Sequence, residues 1–444
     1  MMNQKFVKMV FILIIIWGFR PAFSGEAQFQ SYFGGRTLAL NGLYIAGLDG
    51  STSHLNNPAA PAYLSGYGFD AALIIKTGEY TYMQYDENIY KSFREDDLLL
   101  GAGAYWNIMP DLTIALSYLP TLVYKVDWPY AMLLGGANKQ ILLTFDYYNH
   151  ISANALNFDL AYRLNTVAIG VALSAYHVTS QLAFPRTTPP VNSSGVKLVE
   201  AYQYKYEQDA WTFGVNLGLS WDLSDAWRLG FVLRSGYKAS LKGNVENTML
   251  YDLAMADTNF TGAPPSKSTQ MRSDLEIPMA AGFGLLYRVN DQISLNFDAL
   301  YHFWAATQNQ IDIQYEDPAW QSALSEKDSL THVVPGQMIM PDQNALEIGA
   351  GIEYRSSESL ALRAGYRFSQ SPNSNATYSM HSPVVSQHWI SAGLGYTEDN
   401  YTISVALAYA IGISEAVNEQ NNPDWYGSYT GNTFIPSVSL EYGF

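Results

Sequence analysis

The sequence of 444 residues contains no cysteine, and only 14% of its residues are charged. Without cysteine the chain can form no disulfide, perform no thiol chemistry and receive no lipid through a cysteine. Beyond the first two dozen residues, no run approaches the roughly 20 consecutive apolar residues that a membrane-spanning helix requires. Basic residues are scarce too, because 24 Lys and Arg stand against 40 Asp and Glu. This acidic balance argues against nucleic acid as a partner.

The sequence is rich in aromatic residues. Tyrosine alone occurs 33 times, and Phe, Trp and Tyr together make up 14% of the chain. Tyrosine combines an apolar ring with a polar tip, and membrane β-barrels place such side chains in girdles at both membrane interfaces. In a chain of this length, the composition therefore favours a membrane barrel over a soluble enzyme.

The first 24 residues have the three parts of an export signal. Two lysines precede an apolar stretch from Val10 to Phe19, and Ala22-Phe23-Ser24 is a small-x-small cleavage site. The apolar stretch is shorter than a spanning helix requires, which disfavours the alternative of an uncleaved membrane anchor. We therefore predict a signal peptide over residues 1–24, with cleavage after Ser24 or after Ala27.

From Tyr67 onward, apolar residues recur with a period of two in segments about ten residues long, the length of a tilted membrane strand. Leu360–Phe368 and Ile293–Phe303 are the clearest examples, each with one apolar face and one more polar face. Six short turns alternate with seven long loops, which begin near residues 81, 121, 178, 241, 305, 369 and 412. The pattern predicts an all-β fold: a transmembrane antiparallel β-barrel of about 14 strands over residues 67–444, with both termini in the periplasm.

The last residues of the chain alternate in the same way and end on an aromatic residue, Phe444. Outer-membrane barrels commonly end like this, so we expect the barrel assembly machinery to recognise Phe444. We also expect a bacterial outer-membrane location, contact with outer-membrane lipids and lipopolysaccharide, and a monomeric barrel.

Residues 25–66 do not alternate and are rich in Gly, Ala, Ser and Asn. A segment of this size is too small to be an independent domain. A barrel of about 14 strands encloses more space than its wall side chains can fill, since barrels of eight strands are already filled. We therefore predict that residues 25–66 fold into the barrel as a hatch. A disordered periplasmic tail is the alternative.

Three groups of residues resemble a known family. In chain order they are Gly34-Gly35-Arg36 through Ala46 with Asn57-Pro58-Ala59; Ile277-Pro278 with Tyr287–Asn290; and Arg363–Arg367 with Ser371-Pro372 and His388–Tyr396. They resemble the hatch and the late strands of the FadL/TodX family of outer-membrane transporters for long-chain fatty acids and hydrocarbons. That family has fourteen-stranded barrels, which agrees with the strand number predicted from the alternation.

The resemblance implies passive import of long-chain fatty acids or other hydrophobic compounds, captured at an apolar extracellular groove and passed through the lumen past the hatch. It assigns Asn57, Pro58 and Ala59 to the hatch. The candidate groove residues are apolar members of two long loops: Leu182, Phe184, Met249, Leu250, Tyr251, Leu253 and Met255. A fatty-acid carboxylate would also need a cation, and the candidates are Arg234, Lys238, Arg363 and Arg367.

Other interpretations are compatible with the sequence. The inward bases could pair with inward acids and simply neutralise the lumen; these acids are Glu347, Glu353, Asp159 and Asp298. A secretion-linked or adhesion barrel of the same architecture would bind a protein partner rather than a lipid. We do not expect an enzyme, because Ser386 and His388 have no visible third residue to orient the histidine. The seven His form no metal-binding motif, so neither a metal nor a cofactor is expected.

Overall fold

A computed structural model of the chain describes residues 28–29, 33–47, 52, 55–84, 89–136, 139–188, 200–251, 267–325, 334 and 336–444. The predicted signal peptide, residues 1–24, lies outside these ranges. Among the helices of the described ranges, none is long and apolar enough to cross a membrane.

The described chain contains fourteen long antiparallel strands. They are β1 Tyr67–Met83, β2 Glu95–Met109, β3 Leu112–Gly136, β4 Lys139–Leu164, β5 Val167–Thr188, β6 Glu200–Asp222, β7 Trp227–Arg234 continued by Tyr237–Tyr251, β8 Ser268–Ile277 continued by Ala280–Arg288, β9 Ile293–His302, β10 Ala345–Arg355, β11 Leu360–Ser369, β12 Gln387–Glu398, β13 Tyr401–Gly412 and β14 Gly427–Gly443. Each strand pairs with its neighbours in sequence. The last strand also pairs with the first, with Gly443 opposite Gly68, and this pairing closes the barrel.

The two faces of the strands have opposite chemistry. In β11, Leu362 and Tyr366 are exposed on the outside, whereas Arg363 and Arg367 are buried in the lumen. A soluble protein buries its apolar face, but a membrane barrel turns that face toward lipid and keeps its polar face inside. The prediction of an all-β transmembrane barrel of about 14 strands is therefore confirmed.

Aromatic side chains surround the end of the barrel that carries the short turns. The rings of Tyr67 and Phe444 stack with their centroids 4.5 Å apart, and those of Trp227 and Tyr287 stack at 4.0 Å. Trp106 is also exposed on this rim. These residues lie where the headgroups of the inner leaflet would meet the wall, as the excess of aromatic residues predicts.

An N-terminal segment, residues 33–47 and 55–63, packs against the inner surface of the barrel. It contains a short helix α1, Gly35–Ala39, and a 3-10 helix, Ala60–Tyr63. Its side chains join apolar clusters with side chains from the wall, and most of its residues are buried. Apolar contact with the wall therefore stabilises the segment inside the barrel.

Glycines in the wall leave room for the backbone of this segment. A methyl group added at Gly365 would lie 2.3 Å from the Asn41 nitrogen, and one added at Gly230 would lie 2.5 Å from the Ile45 oxygen. Both separations are far below van der Waals contact. Only a residue without a β-carbon fits at these positions, so the wall and the segment are matched in shape.

At the opposite end, the strands extend well beyond the membrane. β3 and β4 have 25 and 26 residues, more than twice the roughly 10 that a tilted strand needs to cross the bilayer. The long loops carry the smaller elements: short strands Ile89–Lys91, Gln310–Asp312, Gln314–Tyr315, Gln337–Ile339 and Glu415–Val417, a 3-10 helix Trp304–Ala306, and the helix α2, Pro318–Ala323.

The loop of residues 370–386 folds down into the mouth of the barrel. The Trp128 indole Nε1 donates a hydrogen bond to the Met380 carbonyl at 2.6 Å, and the Tyr124 hydroxyl donates one to the His381 carbonyl at 2.6 Å. These bonds attach the loop to β3. The loop therefore forms part of the roof of the lumen.

The wall is not continuous between β2 and β3. These strands pair only between Ala102–Met109 and Leu112–Tyr118. Beyond that stretch, β3 has a bulge next to Pro120 and pairs along its length with β4, while Glu95–Gly101 of β2 pair with β1. We call the region between residues 95–101 and 119–125, where the backbone ladder is missing and the Lys125 ammonium contacts the Asp97 carboxylate, the wall gap.

N-terminal residues lie in the wall gap. Gln28 and Phe29 form a two-residue strand that pairs with Val123 and Leu122 of β3. The ring of Phe33 lies so close to β2 that a methyl group added at Gly101 would be 2.3 Å from its Cζ. Backbone pairing and an aromatic ring therefore fill the space that a strand-to-strand ladder would otherwise occupy.

Candidate functional site

An apolar cavity lies in the lumen beneath the loop of residues 370–386, and its empty space of about 790 Å³ is partly open to solvent. Inward residues of β3, β4, β8 and β10 line it together with residues of two outer loops. Its apolar lining includes Leu122, Ile151, Leu275, Trp304, Met340 and Val384. Ligand sites for small hydrophobic molecules have this kind of lining.

One charged cluster lies at the edge of this cavity. The Glu347 carboxylate is buried between two partners, with His302 Nε2 2.8 Å from Oε1 and Arg367 Nη1 3.1 Å from Oε2. The Arg367 guanidinium also lies 4.0 Å from the centre of the Trp389 ring. A buried charge must be paired to be tolerated, and this cluster meets that requirement internally.

Two further arginines predicted as carboxylate ligands face inward but already have partners. Arg363 Nε donates to a Glu353 oxygen at 2.7 Å, and Arg36 of the N-terminal segment donates to the same oxygen at 3.0 Å. Arg234 donates to the carbonyl oxygen of Leu55. With the pairing of Arg367, this arrangement corresponds to the alternative in which lumen bases and acids neutralise one another.

The prediction that Lys238 faces the lumen is wrong. Lys238 is exposed on the outer face, and its Nζ lies 2.8 Å from the Asp274 carboxylate. The prediction assumed unbroken alternation from Trp227 through Tyr237. The structure interrupts β7 at Ser235-Gly236, and this interruption shifts every later side chain to the opposite face.

The predicted groove residues fall into two sets. The prediction of Leu182 and Phe184 on an exposed loop is wrong, because both are buried on β5, which extends to Thr188. Leu182 lines a second cavity of about 360 Å³ that shares Ile151 and Leu275 with the apolar cavity. Of the other candidates, Met249, Leu250 and Tyr251 lie at the end of β7 with side chains outside the described part, and Leu253 and Met255 lie outside the described residues.

The predicted hatch residues 57–59 are fixed to the wall. The Asn57 side chain donates to the carbonyls of Ile45 and Leu219 at 3.0 Å each, and accepts from the Ala59 amide at 3.0 Å. A methyl group added at Gly170 would lie 2.0 Å from the Pro58 oxygen. This side of the segment is therefore held against β5 and β6.

The wall residue Asp298 holds the other side of the segment. Its carboxylate accepts a hydrogen bond from the Ile45 amide at 2.7 Å and one from the Asn41 side chain at 3.2 Å. The neighbouring Asn296 amide group also donates to it, at 2.7 Å. All of these groups are buried. Hydrogen bonds to a carboxylate are the stronger kind, so Asp298 is a principal attachment point.

Below the segment, at the short-turn end, the lumen opens into a polar vestibule of about 1240 Å³. Its lining includes Arg36, Arg228, Arg288, Arg355 and Glu353. This lining contrasts with that of the apolar cavity nearer the outer loops. The N-terminal segment therefore separates an apolar compartment from a polar one.

The structure brings no catalytic or metal-binding group together among the residues it describes. Ser386 is buried and bonded to the Ser371 amide at 3.1 Å, whereas His388 is exposed and bonded to the Tyr366 hydroxyl at 2.7 Å. No group of three or more His, Asp and Glu could hold a metal ion in the described ranges.

Sequence comparison places the chain among outer-membrane transport proteins. The family described as outer membrane protein transport protein (OMPP1/FadL/TodX) matches residues 33–444. A protein of Neisseria meningitidis serogroup B assigned to the outer membrane is 27% identical over 50% of this chain and 48% of its own length. The long-chain fatty acid transport protein of Escherichia coli O6:H1 is 22% identical over 65% of this chain. The match spans about half of the length of the Neisseria meningitidis protein and 66% of the length of the Escherichia coli protein.

Solved structures with the same fold cover nearly the whole chain. A FadL homologue of Pseudomonas aeruginosa superposes with a TM-score of 0.74 and 14% identity, over 96% of this chain and 100% of that one. The toluene transporter TodX of Pseudomonas putida gives a TM-score of 0.66 and 15% identity, over 96% and 100%. The toluene transporter TbuX of Ralstonia pickettii gives a TM-score of 0.65 and 13% identity, over 93% of this chain and 99% of that one.

These similarities confirm several predictions. The chain is an outer-membrane protein, and its family consists of transport proteins for hydrophobic compounds rather than enzymes. The match runs from the N-terminal segment to the last strand. This protein belongs to the OMPP1/FadL/TodX family of outer membrane transport proteins.

Proposed function

We propose that this protein lets long-chain fatty acids or other hydrophobic compounds diffuse across the outer membrane through its lumen. The observation that carries the proposal is the apolar cavity of about 790 Å³ between the outer loops and the N-terminal segment. Similar proteins are named as transporters of long-chain fatty acids and of toluene, which supports this class of ligand. Capture would begin among the outer loops, where Met249, Leu250, Tyr251, Leu253 and Met255 remain the predicted groove.

Passage can be passive because apolar burial is favourable without being irreversible. Removing roughly 300 Å² of ligand surface from water contributes about 7 kcal/mol at about 25 cal/mol per Å². Association itself costs at least about 4 kcal/mol of lost translational and rotational freedom. The remaining affinity is weak enough for release, so a concentration gradient suffices to drive net import.

The wall gap is the exit that we propose. Leu122 lines the apolar cavity and is also the residue of β3 that pairs with Phe29, so cavity and gap adjoin. The vestibule below is polar, and an apolar ligand entering it would have to be hydrated again. A ligand leaving through the gap would pass instead into the hydrocarbon of the membrane.

In this proposal, residues 25–66 act as a hatch that controls the exit. Phe33 and the strand Gln28–Phe29 occupy the gap, and both belong to the same N-terminal stretch as α1. Displacement of this stretch would open the cavity toward the gap. Deleting residues 28–66 should accordingly give a barrel that folds but leaks or fails in uptake; unchanged uptake with no leak would contradict the hatch.

The proposal is tested by filling the cavity. Ala345 lines it and is buried, whereas Ala364 faces outward on the adjacent β11. We expect Ala345→Trp to weaken binding of a fluorescent long-chain fatty acid to the purified barrel at least tenfold, and to slow its uptake by cells. Ala364→Trp is the matched control and should leave both unchanged.

Competition with unlabelled compounds then defines the ligand. Displacement of the probe by oleate would support fatty-acid transport, and displacement by toluene alone would indicate hydrocarbons. If neither the fluorescent fatty acid nor toluene binds to the wild type, or if the probe binds Ala345→Trp as tightly as the wild type, the proposed route through the cavity is wrong.

A further inference from the structure

We propose that the apolar cavity is built for an uncharged hydrophobic molecule that carries a hydroxyl group, an alcohol or a phenol, in preference to a carboxylate. This inference rests on the proposed function, and it names the ligand class of the same cavity. Three features carry it: the charge of the lining, two buried acceptor atoms without partners, and the apolar surfaces around them.

The described lining of the cavity contains no lysine and no arginine. Its charged residue is Glu347, whose carboxylate is already engaged by His302 at 2.8 Å and by Arg367 at 3.1 Å. A carboxylate ligand would lose its hydration here, find no cation left for it, and lie near another carboxylate. The lining therefore disfavours the ionised form of a fatty acid.

Two residues of the described lining each carry a buried polar atom that has neither a hydrogen-bond partner nor an ion-pair partner. One is Oδ1 of Asn149, a residue that is only 4% exposed; its Nδ2 donates to the His381 carbonyl at 2.9 Å. The other is Nε2 of the His381 ring itself. Buried polar atoms are nearly always paired, so two orphaned atoms in one cavity indicate a partner from outside the chain.

Both of these atoms are acceptors. The His381 ring stacks on Tyr147 with centroids 4.5 Å apart, and it makes its other hydrogen bond to the Ala183 backbone. Burial lowers the pKa of His381 to about 4, so the imidazole is neutral at pH 7. A neutral ring that donates through Nδ1 carries a lone pair at Nε2, and an amide oxygen can only accept.

A hydroxyl group matches this arrangement because its single O–H supplies the kind of donor that either acceptor lacks. A hydrocarbon would bury the acceptors without satisfying them, and a carboxylate has no proton to donate. The rest of such a ligand would lie against Ile151, Leu275 and Met340, which line the same cavity. The polar atoms thus select the head group, and the apolar surface selects the hydrophobic body.

Three probes of one shape test this inference: toluene, p-cresol and p-toluate, which differ only in a hydrogen, a hydroxyl or a carboxylate. We would measure their binding to the full purified protein in detergent by calorimetry at pH 7. One added hydrogen bond should make p-cresol bind about tenfold more tightly than toluene. Binding of p-toluate should be weaker than that of either.

Variants then assign the preference to the two acceptors. His381→Phe keeps a ring to stack on Tyr147 but removes Nε2, and Asn149→Leu removes Oδ1. Because the single O–H donates to one acceptor, we expect the p-cresol preference over toluene to fall toward onefold in at least one of these variants and in the double variant, while toluene affinity stays near the wild-type value. His177→Phe is the matched control, since His177 pairs with Asp209 on the exposed face and is absent from the cavity lining.

The outcomes separate this inference from the proposed function. Equal binding of toluene and p-cresol, as expected if water satisfies the acceptors, would overturn the inference alone. Tight p-toluate binding, or an unchanged preference in both His381→Phe and Asn149→Leu, would do the same. If none of the three probes binds and the fluorescent fatty acid does not bind either, both the inference and the proposed function are wrong.

Discussion

Replacing Asp298 by alanine should release the N-terminal segment from the wall. The carboxylate accepts hydrogen bonds from the Ile45 amide at 2.7 Å and from the Asn41 side chain at 3.2 Å. Hydrogen bonds to charged groups contribute about 1.5–3 kcal/mol each, so the loss of both costs about 3–6 kcal/mol. Since each 1.4 kcal/mol is a factor of about ten, the released fraction of molecules should rise by at least about a hundredfold.

Two measurements detect this release. Single-channel conductance in a planar bilayer should show openings that are rare in the wild type, and a protease should cleave residues 33–47 faster. Asp274→Ala is the control, because Asp274 pairs with Lys238 on the exposed face, where solvent screens the salt bridge and its contribution is small. If Asp298→Ala resists cleavage and stays as closed as the control, the reasoning that these bonds hold the segment is refuted.

Three further predictions follow from the packing. Gly101→Val should displace the Phe33 ring, because a methyl group added at Gly101 would lie 2.3 Å from that ring. The displaced ring should open the wall gap and speed uptake. Ala104→Val, on the outer face of the same strand, should leave uptake unchanged. Burial lowers the pKa of His381 to about 4, so protonation of His381 opposes docking of the loop of residues 370–386 as the pH falls below 6.5, by up to about 3 kcal/mol. Protease cleavage of this loop should therefore rise toward pH 4. In His381→Phe the cleavage should be independent of pH. Arg367→Leu should destabilise the barrel by about 3 kcal/mol in thermal unfolding, because it removes one of the two ion-pair partners in contact with the buried Glu347 carboxylate. Arg367→Leu combined with Glu347→Leu should recover part of this loss.

Each of these three has an outcome that would contradict it. Equal uptake in Gly101→Val and wild type would mean that the ring does not obstruct the gap. A loop whose cleavage is flat between pH 7 and pH 4 would mean that His381 stays docked when charged. An unchanged melting temperature in Arg367→Leu would mean that the charge of Glu347 is compensated elsewhere.

The barrel could be predicted from the sequence because its cause is local. Lipid outside and a polar lumen inside force alternation along every strand, and Leu360–Phe368 displays this alternation without reference to any other part of the chain. The short turns are equally local, since they need only turn-forming residues. The strand number and the orientation of Arg363 and Arg367 follow from these two signals.

The predictions for Lys238, Leu182 and Phe184 fail where the alternation of a strand is interrupted or where a strand continues beyond the membrane. One interruption, at Ser235-Gly236, reversed the orientation of Lys238, and a sequence offers little to distinguish such a break from a regular strand. A strand length that matches the bilayer thickness predicts Leu182 and Phe184 on a loop. In the structure β5 continues past the membrane, where pairing with β4 and β6 rather than lipid stabilises it.

The acceptor pair could not have been predicted at all. Asn149 lies on β4 and His381 on a loop more than 200 residues later, and they meet because Trp128 and Tyr124 bond the backbone of that loop. Only tertiary contacts determine how a loop without periodicity folds back into a barrel. Ser371-Pro372 of this loop contributes to the family resemblance, but no pattern in the loop indicates where His381 lies.

The amide of Gly35 donates a hydrogen bond to the hydroxyl of Ser439 at 2.9 Å, joining residues 404 positions apart. Gly35 belongs to the part of the chain that is made and exported first, whereas Ser439 lies on β14, which is made last. Docking of the N-terminal segment can therefore be completed only after the final strand has inserted beside β1. During biogenesis the lumen therefore stays unsealed until β14 pairs with β1 and closes the barrel. A sealed lumen is thus a property of the completely assembled barrel.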